Sequence, residues 1–132
     1  FTFSSSVTEL RMEFDPEKLR KIVYNLLSNA FKFTSESGKI DVQLSLIHLI
    51  NDDKKLFQIV VSDTGIGIPD KDKNRIFERF YRVENGENGH QTGTGVGLHI
   101  VSEYVKLHNG QIKVESALGK GTTFTVCLSK NN

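Results

Sequence analysis

Cysteine, net charge and long apolar runs are all scarce in this chain. The single cysteine, Cys127, excludes an internal disulfide framework and fits a reducing compartment. The 17 basic and 16 acidic residues leave a net charge of +1 without a basic face or tail, which argues against nucleic-acid binding. No apolar run is long enough to cross a bilayer, and no signal peptide opens the chain. We therefore expect this domain to contact neither nucleic acid nor a membrane.

What remains is the composition of an ordinary globular protein. The 132 residues are 37% hydrophobic and 25% charged, which is typical of one domain with its own core. There is no internal repeat and no linker, so we predict a single domain over residues 1–132. The opening stretch, FTFSSSVTEL, has the pattern of a strand already under way, and we expect the chain to be part of a longer protein.

Apolar periodicity predicts an α+β chain. The first 14 residues alternate like two short strands, and Asp15 followed by Pro16 then predicts the N-cap and first turn of a helix that runs to about Thr34. Further strands are expected at 40–50, 56–63, 111–117 and 121–129. The segment 70–80 is expected to form a short helix followed by aromatic residues, and a longer helix is expected at 94–108. This order predicts a two-layer α/β sandwich, in which a mixed, mostly antiparallel sheet carries its helices on one face.

The residues expected to face the core follow the period of each element. They are Leu10, Met12 and Phe14 in the second short strand, Leu19, Ile22, Val23, Leu26, Leu27 and Ala30 in the first helix, Ile40, Val42, Leu44 and Leu46 in the first hairpin strand, and Leu98, Val101, Val105 and Leu107 in the last helix.

The motif NLLSNAFKFT places a polar row on the first predicted helix. Asn25, Asn29 and Lys32 lie within about 60° of one another, beside the apolar stripe. An amide oxygen suits Mg²⁺, which takes its other ligands from phosphate and water, and a lysine one turn on supplies a cation for phosphate. One asparagine alone would indicate a cap or a solvated edge, whereas three aligned groups favour a site for a metal and phosphates.

Asp63 opens a second motif, SDTGIGIP, at the end of a predicted strand. It shares its parity with the apolar positions of that strand and should point toward the helices. A carboxylate on that face needs a partner, and the exocyclic amine of adenine is a suitable donor. Gly65 and Gly67 would let the backbone approach a flat base. The same residues also fit a plain turn in which Asp63 caps local amides, and the pattern alone leaves both interpretations open.

The third motif, GTGVGL at residues 93–98, opens the last predicted helix. Bare backbone amides and a helix N-terminus can hold phosphate there. It is not a dinucleotide fingerprint, because that motif needs G-x-G-x-x-G directly after a strand. The stretch VESALGKG at 114–121 is not a P-loop, because it lacks the first glycine and the final hydroxyl.

An aromatic motif, IFERFYR, lies between the two glycine motifs. Phe77, Phe80 and Tyr81 could anchor the segment that follows to the core, and for Phe77 alone plain core packing is favoured. Arg82 would ordinarily be a solvated charge, but beside a nucleotide it could fold over the phosphates. The last motif, GKGTTF, is mainly a hairpin turn.

In this order and spacing, the motifs resemble those of the nucleotide-binding catalytic domain of sensor histidine kinases, in the superfamily that also holds gyrase, MutL and the heat-shock chaperone ATPase. NLLSNAFKFT is similar to the N box, DTGIG to the first glycine box, IFERFYR to the phenylalanine box, GTGVGL to the second glycine box and GKGTTF to the last one. The resemblance runs from Asp15 to Leu128. It implies a Bergerat fold of about five strands and about three helices, with ATP held between the helices and a lid at about 82–95 that is mobile or ordered by nucleotide.

The resemblance also implies a role for each matched residue. Asn29 would coordinate Mg²⁺ with support from Asn25, Lys32 and Arg82 would contact phosphates, and Asp63 would bind the adenine amine. Asn25, Lys32 and Arg82 would form the catalytic set. Further nucleotide-binding positions implied by the match are Gly65, Gly67, Ile68, Phe80, Gly93, Thr94, Gly95, Val96, Gly97, Leu98 and Thr122.

Asn25 separates two branches of this superfamily. In the hydrolysing members a glutamate stands four residues before the metal-binding asparagine and activates water, and an amide cannot act as that base. We therefore expect no fast hydrolysis, and instead a transfer of the γ-phosphoryl group by positioning and charge stabilisation. The acceptor would be a histidine on a separate dimerisation and phosphoacceptor domain.

None of the histidines here has the setting of that acceptor, which is followed directly by an acidic residue on a helical hairpin. His48, His99 and His108 are expected at the surface or the edge of the core, and His90 could touch a bound phosphate. The dimerisation domain is therefore expected to be absent from these residues, and the isolated chain to be inactive without it.

The resemblance implies a cytoplasmic domain of a membrane-anchored bacterial sensor, whose phosphoryl group passes indirectly to a response regulator. The alternatives are an ATPase clamp of the same superfamily, a serine kinase of the anti-sigma type, and a degenerate domain used only for protein contacts. The first would release phosphate steadily, the second would yield phosphoserine, and the third would show no thermal shift with ATP and Mg²⁺.

Overall fold

The computed structural model describes residues 1–5, 15–48, 55–81 and 96–130. Their elements, in chain order, are β1 (Thr2–Ser5), α1 (Pro16–Phe33), β2 (Ile40–His48), β3 (Lys55–Asp63), α2 (Asp70–Lys73), α3 (Gly97–Leu107), β4 (Gln111–Ser116) and β5 (Thr122–Lys130). None of the helices in these ranges is long and apolar enough to cross a membrane.

The five described strands form one sheet in the order β1-β2-β3-β5-β4. β1 pairs with β2 in parallel, and the other three pairings are antiparallel. The predicted mixed, mostly antiparallel sheet is therefore confirmed. The parallel pair at the edge arises because the chain returns to β2 through α1, as a crossover connection requires.

α1 begins and ends where the sequence predicts. The Asp15 carboxylate accepts hydrogen bonds from the amides of Glu17, at 3.0 Å, and Lys18, at 3.3 Å, and Pro16 occupies the first turn. These bonds satisfy backbone donors that have no partner within the helix. Thr34, in an extended conformation, is the C-cap.

The core lies between one face of the sheet and the helices. Alternate residues of the two central strands, β3 and β5, point to this face and are buried, as the predicted parity of β3 requires. The buried hydrophobic residues of the described elements include Ile22, Leu26 and Ala30 from α1, Ile40 and Val42 from β2, Phe57, Ile59 and Val61 from β3, Val101 and Val105 from α3, and Phe124, Val126 and Leu128 from β5. The predicted stripe of α1 is confirmed, with Leu19, Val23 and Leu27 partly buried at its sides.

Two predicted core positions are wrong. Leu46 is 40% exposed, although it shares its strand parity with the buried Val42. Leu107 is 65% exposed because it lies about 160° around the helix from Val105, which belongs to the buried stripe of α3. The predicted stop of this helix is confirmed: Asn109 has a φ of 54°, and the Gly110 amide donates to the Val105 carbonyl at 2.9 Å.

The short helix predicted in the segment 70–80, with aromatic residues after it, is confirmed. α2 ends at Lys73, and a series of turns follows in which the amides of Arg75, Glu78 and Tyr81 donate to carbonyls three residues back. The left-handed φ of Phe80, 67°, is incompatible with a continuing helix. Three predictions lie outside the described residues: the second strand before Asp15, the lid at 82–95 and the start of the last helix at Thr94. The described part of that helix begins at Gly97.

Candidate functional site

The polar row on α1 lies along one flank of the buried stripe. Asn25 and Asn29 are partly buried, and Lys32 is exposed. At the start of α3, Gly97 faces the Asn25 side chain so closely that a β-carbon there would lie 3.1 Å from the Asn25 amide oxygen. α1 therefore presents Asn25 toward the first turn of α3, where the second glycine motif ends.

The Asp63 carboxylate lies at the other end of this flank, beside the C-terminus of α1. It is half-buried and accepts a hydrogen bond from the Gly65 amide at 2.8 Å. Burial raises the pKa of Asp63 above its ordinary value, and the nearby Gly65 amide, Thr122 amide and Thr34 hydroxyl oppose this rise only in part. The Thr34 oxygen is buried and has no well-formed hydrogen bond within the described part of the chain.

The loop after Asp63 is folded against the end of α1. The Ile66 amide donates to the Phe33 carbonyl at 3.2 Å, and a β-carbon at Gly65 would overlap the same carbonyl oxygen. Gly67 has a φ of 76°, and a β-carbon there would overlap the Ala117 carbonyl. In the described residues these glycines permit close approach to protein backbone, which fixes the loop that carries Asp63, and their approach to a base stays a prediction.

The turn between β4 and β5 completes this end of the site. Ser116 Oγ accepts from the Ile68 amide at 2.7 Å, donates to the Gly121 carbonyl at 2.8 Å and lies 2.9 Å from Thr122 Oγ1. Thr122 is 7% exposed and pairs with Asp63 across the two central strands. Sequence reasoning missed Ser116, because nothing in the local pattern marks a serine at a strand end as the link between two loops.

α1 therefore joins two chemically different regions. From Asn25 to Thr34 the helix rises by about 13 Å, an extent suited to a nucleotide lying along it. Asn29 lies one turn after Asn25 and one turn before Phe33, whose carbonyl holds the Asp63 loop. A purine amine and a phosphate chain can thus be recognised at opposite ends of one rigid element.

The two phenylalanines of the aromatic motif have different environments in the structure. Phe77 packs on Phe124 with ring centroids 6.2 Å apart, as predicted for a core residue, and its carbonyl lies 3.3 Å from His99 Nδ1. Phe80 is 62% exposed, so the expectation that its ring anchors the segment to the core is wrong. Its left-handed backbone turns the ring outward, beneath the Arg79 guanidinium at 4.6 Å.

The remaining predicted site residues fall into two groups. Val96 is the N-cap of α3, Leu98 is half-buried in its first turn, and Ile68 is 9% exposed within the core cluster. Arg82, His90, Gly93, Thr94 and Gly95 lie outside the described residues.

The described residues hold no group of three or more acidic, histidine or cysteine side chains that could bind a metal ion by itself. The donor available at the site is the neutral Asn29 amide, next to Asn25. A single hard oxygen suits Mg²⁺ when phosphates and water supply the other ligands, so the residues present fit Mg²⁺ carried by a nucleotide.

The chain matches known proteins over nearly its whole length. Residues 14–132 match the family described as histidine kinase-, DNA gyrase B-, and HSP90-like ATPase. The sensor histidine kinase WalK of Bacillus subtilis is 40% identical over 120 residues, which are 91% of this chain and 19% of that protein. The chain therefore spans about a fifth of the length of this relative.

Solved structures give the same result. The nucleotide-free catalytic domain of histidine kinase ThkA has a TM-score of 0.79 and 26% identity, covering 99% of this chain and 80% of that one. Full-length ShkA in complex with AMPPNP has a TM-score of 0.74 and 29% identity, covering 99% of this chain and 26% of that one. These matches confirm the resemblance and the predicted fold, and the chain belongs to the family of histidine kinase-, DNA gyrase B- and HSP90-like ATPases.

Proposed function

We propose that this chain is the catalytic domain of a sensor histidine kinase, which binds Mg-ATP and donates the γ-phosphoryl group to a histidine on a separate dimerisation and phosphoacceptor domain. The observation that carries the proposal is the joining, along α1, of the Asn25–Asn29 row with the loop that holds Asp63. The match to histidine kinases such as WalK and ThkA supports it.

Asp63 would recognise the base. Its carboxylate accepts the Gly65 amide at 2.8 Å, and its remaining lone pairs can accept the adenine amine. Because burial disfavours the ionised form, a donor from the ligand compensates for a cost that the free protein carries. Gly65 and Gly67 keep the loop close to α1 and the Ala117 turn, so the carboxylate is positioned before the nucleotide arrives.

Asn25, Asn29, Lys32 and Arg82 would hold the phosphate chain. Asn29 would donate its amide oxygen to Mg²⁺, and Asn25 would support it from one turn earlier. Lys32 is exposed at the end of the same row, where an ammonium group can pair with phosphate. Mg²⁺, when bound, neutralises charge that develops on the phosphates during transfer.

The chemistry left to this chain is positioning, not proton removal. Asn25 cannot accept a proton near neutral pH, so no residue at that place activates water. A neutral imidazole nitrogen attacks phosphorus without first losing a proton, so a histidine acceptor needs no base from this domain. The acceptor would lie on a helical hairpin of the same polypeptide or of a dimer mate, and the phosphoryl group would pass from it to a response regulator.

The match to sensor proteins also supports a cellular setting for the domain. We propose that it is the cytoplasmic part of a bacterial sensor that is anchored in the membrane.

The test is phosphoryl transfer to a supplied acceptor. The chain is mixed with the phosphoacceptor hairpin of its parent polypeptide and γ-labelled ATP with Mg²⁺. We expect acid-labile, base-stable label on the hairpin and none on the chain alone, and we expect Asn29→Ala to abolish the label. Phosphoserine on a partner, or steady phosphate release that Asn25→Ala removes, would contradict the proposal in favour of a serine kinase or an ATPase clamp.

A further inference from the structure

Thr34, the C-cap of α1, carries a buried hydroxyl close to the proposed base-binding carboxylate. Its Oγ1 atom is shielded from solvent and has no hydrogen-bond partner of good geometry within the described part of the chain. A buried hydroxyl without a partner lowers stability, because it has left water and gained no bond in return. The fold of the free chain therefore gains nothing from this hydroxyl, which a methyl group could replace.

The backbone fixes the position of the Thr34 side chain. Thr34 is extended, with a φ of −114° and a ψ of 130°, and it follows Phe33, whose carbonyl accepts the Ile66 amide of the Asp63 loop. The Thr34 methyl group lies so close to Gly38 that a β-carbon at Gly38 would overlap it. With its methyl group against Gly38, the side chain presents its hydroxyl to Asp63.

The Asp63 carboxylate can accept a further donor. Its Oδ1 atom accepts from the Gly65 amide at 2.8 Å, and an ionised carboxylate has about four lone-pair sites. Burial raises the pKa of Asp63, and the Thr34 hydroxyl is one of the groups that oppose this rise. A carboxylate that needs donors and a hydroxyl that needs an acceptor are therefore neighbours.

We infer that Thr34 is a positioning residue for base recognition, whose hydroxyl donates to the Asp63 carboxylate and holds it, ionised and oriented, for the amine of the base. The inference rests on the proposed function, in which Asp63 binds adenine. Because the hydroxyl is not bonded in the free chain, its bond to Asp63 would form together with the contact to the base. Both donors favour the ionised carboxylate, so each should strengthen the other.

Charged side chains do not account for the state of Asp63. The segments that meet at this carboxylate carry Lys32 in the last turn of α1, Glu36 and Lys39 in the loop before β2, and Lys120 in the turn before β5. None of these four charges is among the causes of the raised pKa of Asp63, which are burial and the opposing amides and hydroxyl. A change in the Thr34 hydroxyl should therefore be visible in the titration of Asp63.

The test begins with Thr34→Val, which replaces the hydroxyl with a methyl group of nearly the same shape. We expect the affinities for adenosine and Mg-ATP, measured by calorimetry, to fall together by about threefold to tenfold, because both ligands carry the base. The melting temperature should stay the same or rise, because the variant no longer buries an unpaired hydroxyl. A residue that only supports the fold would instead lose stability and affinity together.

The pH profile of adenosine binding distinguishes positioning from packing. Base binding needs the ionised carboxylate, so affinity should fall as the pH drops through the pKa of Asp63. Loss of the hydroxyl removes a group that lowers this pKa, so in Thr34→Val the fall should begin at a higher pH than in the parent chain. Thr34→Ser keeps the hydroxyl and should restore both the affinity and the profile of the parent.

The matched control is Thr125→Val, the same substitution at a half-buried threonine on the opposite face of β5, which should change neither the affinities nor the pH profile. Thermal unfolding shows whether each variant is folded, and if Thr34→Val is not, Thr34→Ala decides.

Three results overturn the inference: parent-like affinity and pH profile without the hydroxyl, a loss confined to Mg-ATP, or a Thr34→Ser variant that behaves like Thr34→Val. A parent chain that binds neither ligand overturns the proposed function instead.

Discussion

The Asp63 carboxylate lowers the stability of the free protein, and its value would lie in binding a ligand. The carboxylate is half-buried with a raised pKa, so the free protein carries an ionised group that its surroundings only partly stabilise. A donor on the ligand would remove this disadvantage. Such a conflict between the stability of the free chain and its affinity is typical of residues kept for recognition.

Replacement of this carboxylate should separate stability from binding. In Asp63→Asn the amide oxygen can still accept the Gly65 amide, but its NH₂ group meets the adenine amine donor to donor. We expect ATP affinity to fall by about tenfold to a hundredfold, measured by calorimetry. The melting temperature of the free chain at pH 7 should stay the same or rise.

The difference in melting temperature between Asp63→Asn and the parent chain should change with pH in one direction. A carboxyl group whose folded-state pKa is raised binds more protons in the native state, so its contribution to stability falls as pH rises from about 3.8 through the raised value. The melting temperatures of Asp63→Asn and the parent should therefore converge below this window and separate above it. A parent chain that gains on the variant with rising pH would show that Asp63 is stabilised as an anion.

Asn29 gives a second prediction at this scale. Asn29→Ala removes the neutral amide oxygen that would bind Mg²⁺ and leaves the Asp63 carboxylate unchanged. We expect the variant to bind ATP in EDTA as the parent does, and to lose the additional affinity that Mg²⁺ gives the parent. Calorimetry with and without the metal measures this difference, and an equal response of both proteins to Mg²⁺ would remove Asn29 from the metal site.

At the scale of elements, the contact between α1 and α3 depends on Gly97 having no side chain. Gly97→Ala adds a methyl group 3.1 Å from the Asn25 amide oxygen, which can move by a few tenths of an ångström because it ends a flexible side chain. Alanine also favours the helix and restricts the unfolded chain, so the free energy of unfolding should rise by up to about 1 kcal/mol. ATP affinity should fall about threefold as Asn25 shifts.

A double-mutant cycle identifies the cause of that loss. If the displaced Asn25 side chain is responsible, Gly97→Ala should have no further effect on ATP affinity in an Asn25→Ala background. Urea unfolding and calorimetry of the four proteins supply both quantities. If the double variant binds ATP threefold more weakly than Asn25→Ala alone, the effect belongs to α3 itself.

Elements were predictable where their determinants are local. The cap at Asp15 and the stop at Asn109 depend on neighbouring residues, and the inward direction of Asp63 follows from the parity of a strand. Leu46 was predicted wrongly because its exposure depends on which other elements cover that end of β2, which periodicity does not contain.

The site was predictable as residues but not as an arrangement. The motif order predicts which side chains would bind a nucleotide, yet the contacts that bring them together join positions far apart in sequence. Ser116 bonded to Ile68, and Asn25 against Gly97, are such contacts. Each depends on the packing of one element on another, which local pattern cannot specify.

At the scale of the whole molecule, the sheet order places the site on its two central strands. β3 ends at Asp63 and β5 begins at Thr122, and these two residues are paired. The strands that meet at the site are therefore flanked on both sides by other strands, while α1 crosses the same face. Such a platform binds a ligand without rearranging the core, so binding should add to the stability of the native state.

We therefore expect the isolated chain to bind Mg-ATP without consuming it. At an ATP concentration a hundred times the dissociation constant, binding contributes about 2.7 kcal/mol and should raise the melting temperature by roughly ten degrees. Phosphate release should stay at the background rate, because Asn25 stands where a base would activate water. Scanning fluorimetry and a coupled phosphate assay on one sample measure both, with Asp63→Ala as the control that loses the thermal shift. Binding accompanied by steady turnover would contradict a kinase that waits for its histidine, and a chain that shows no thermal shift would be one that uses this fold for protein contacts alone.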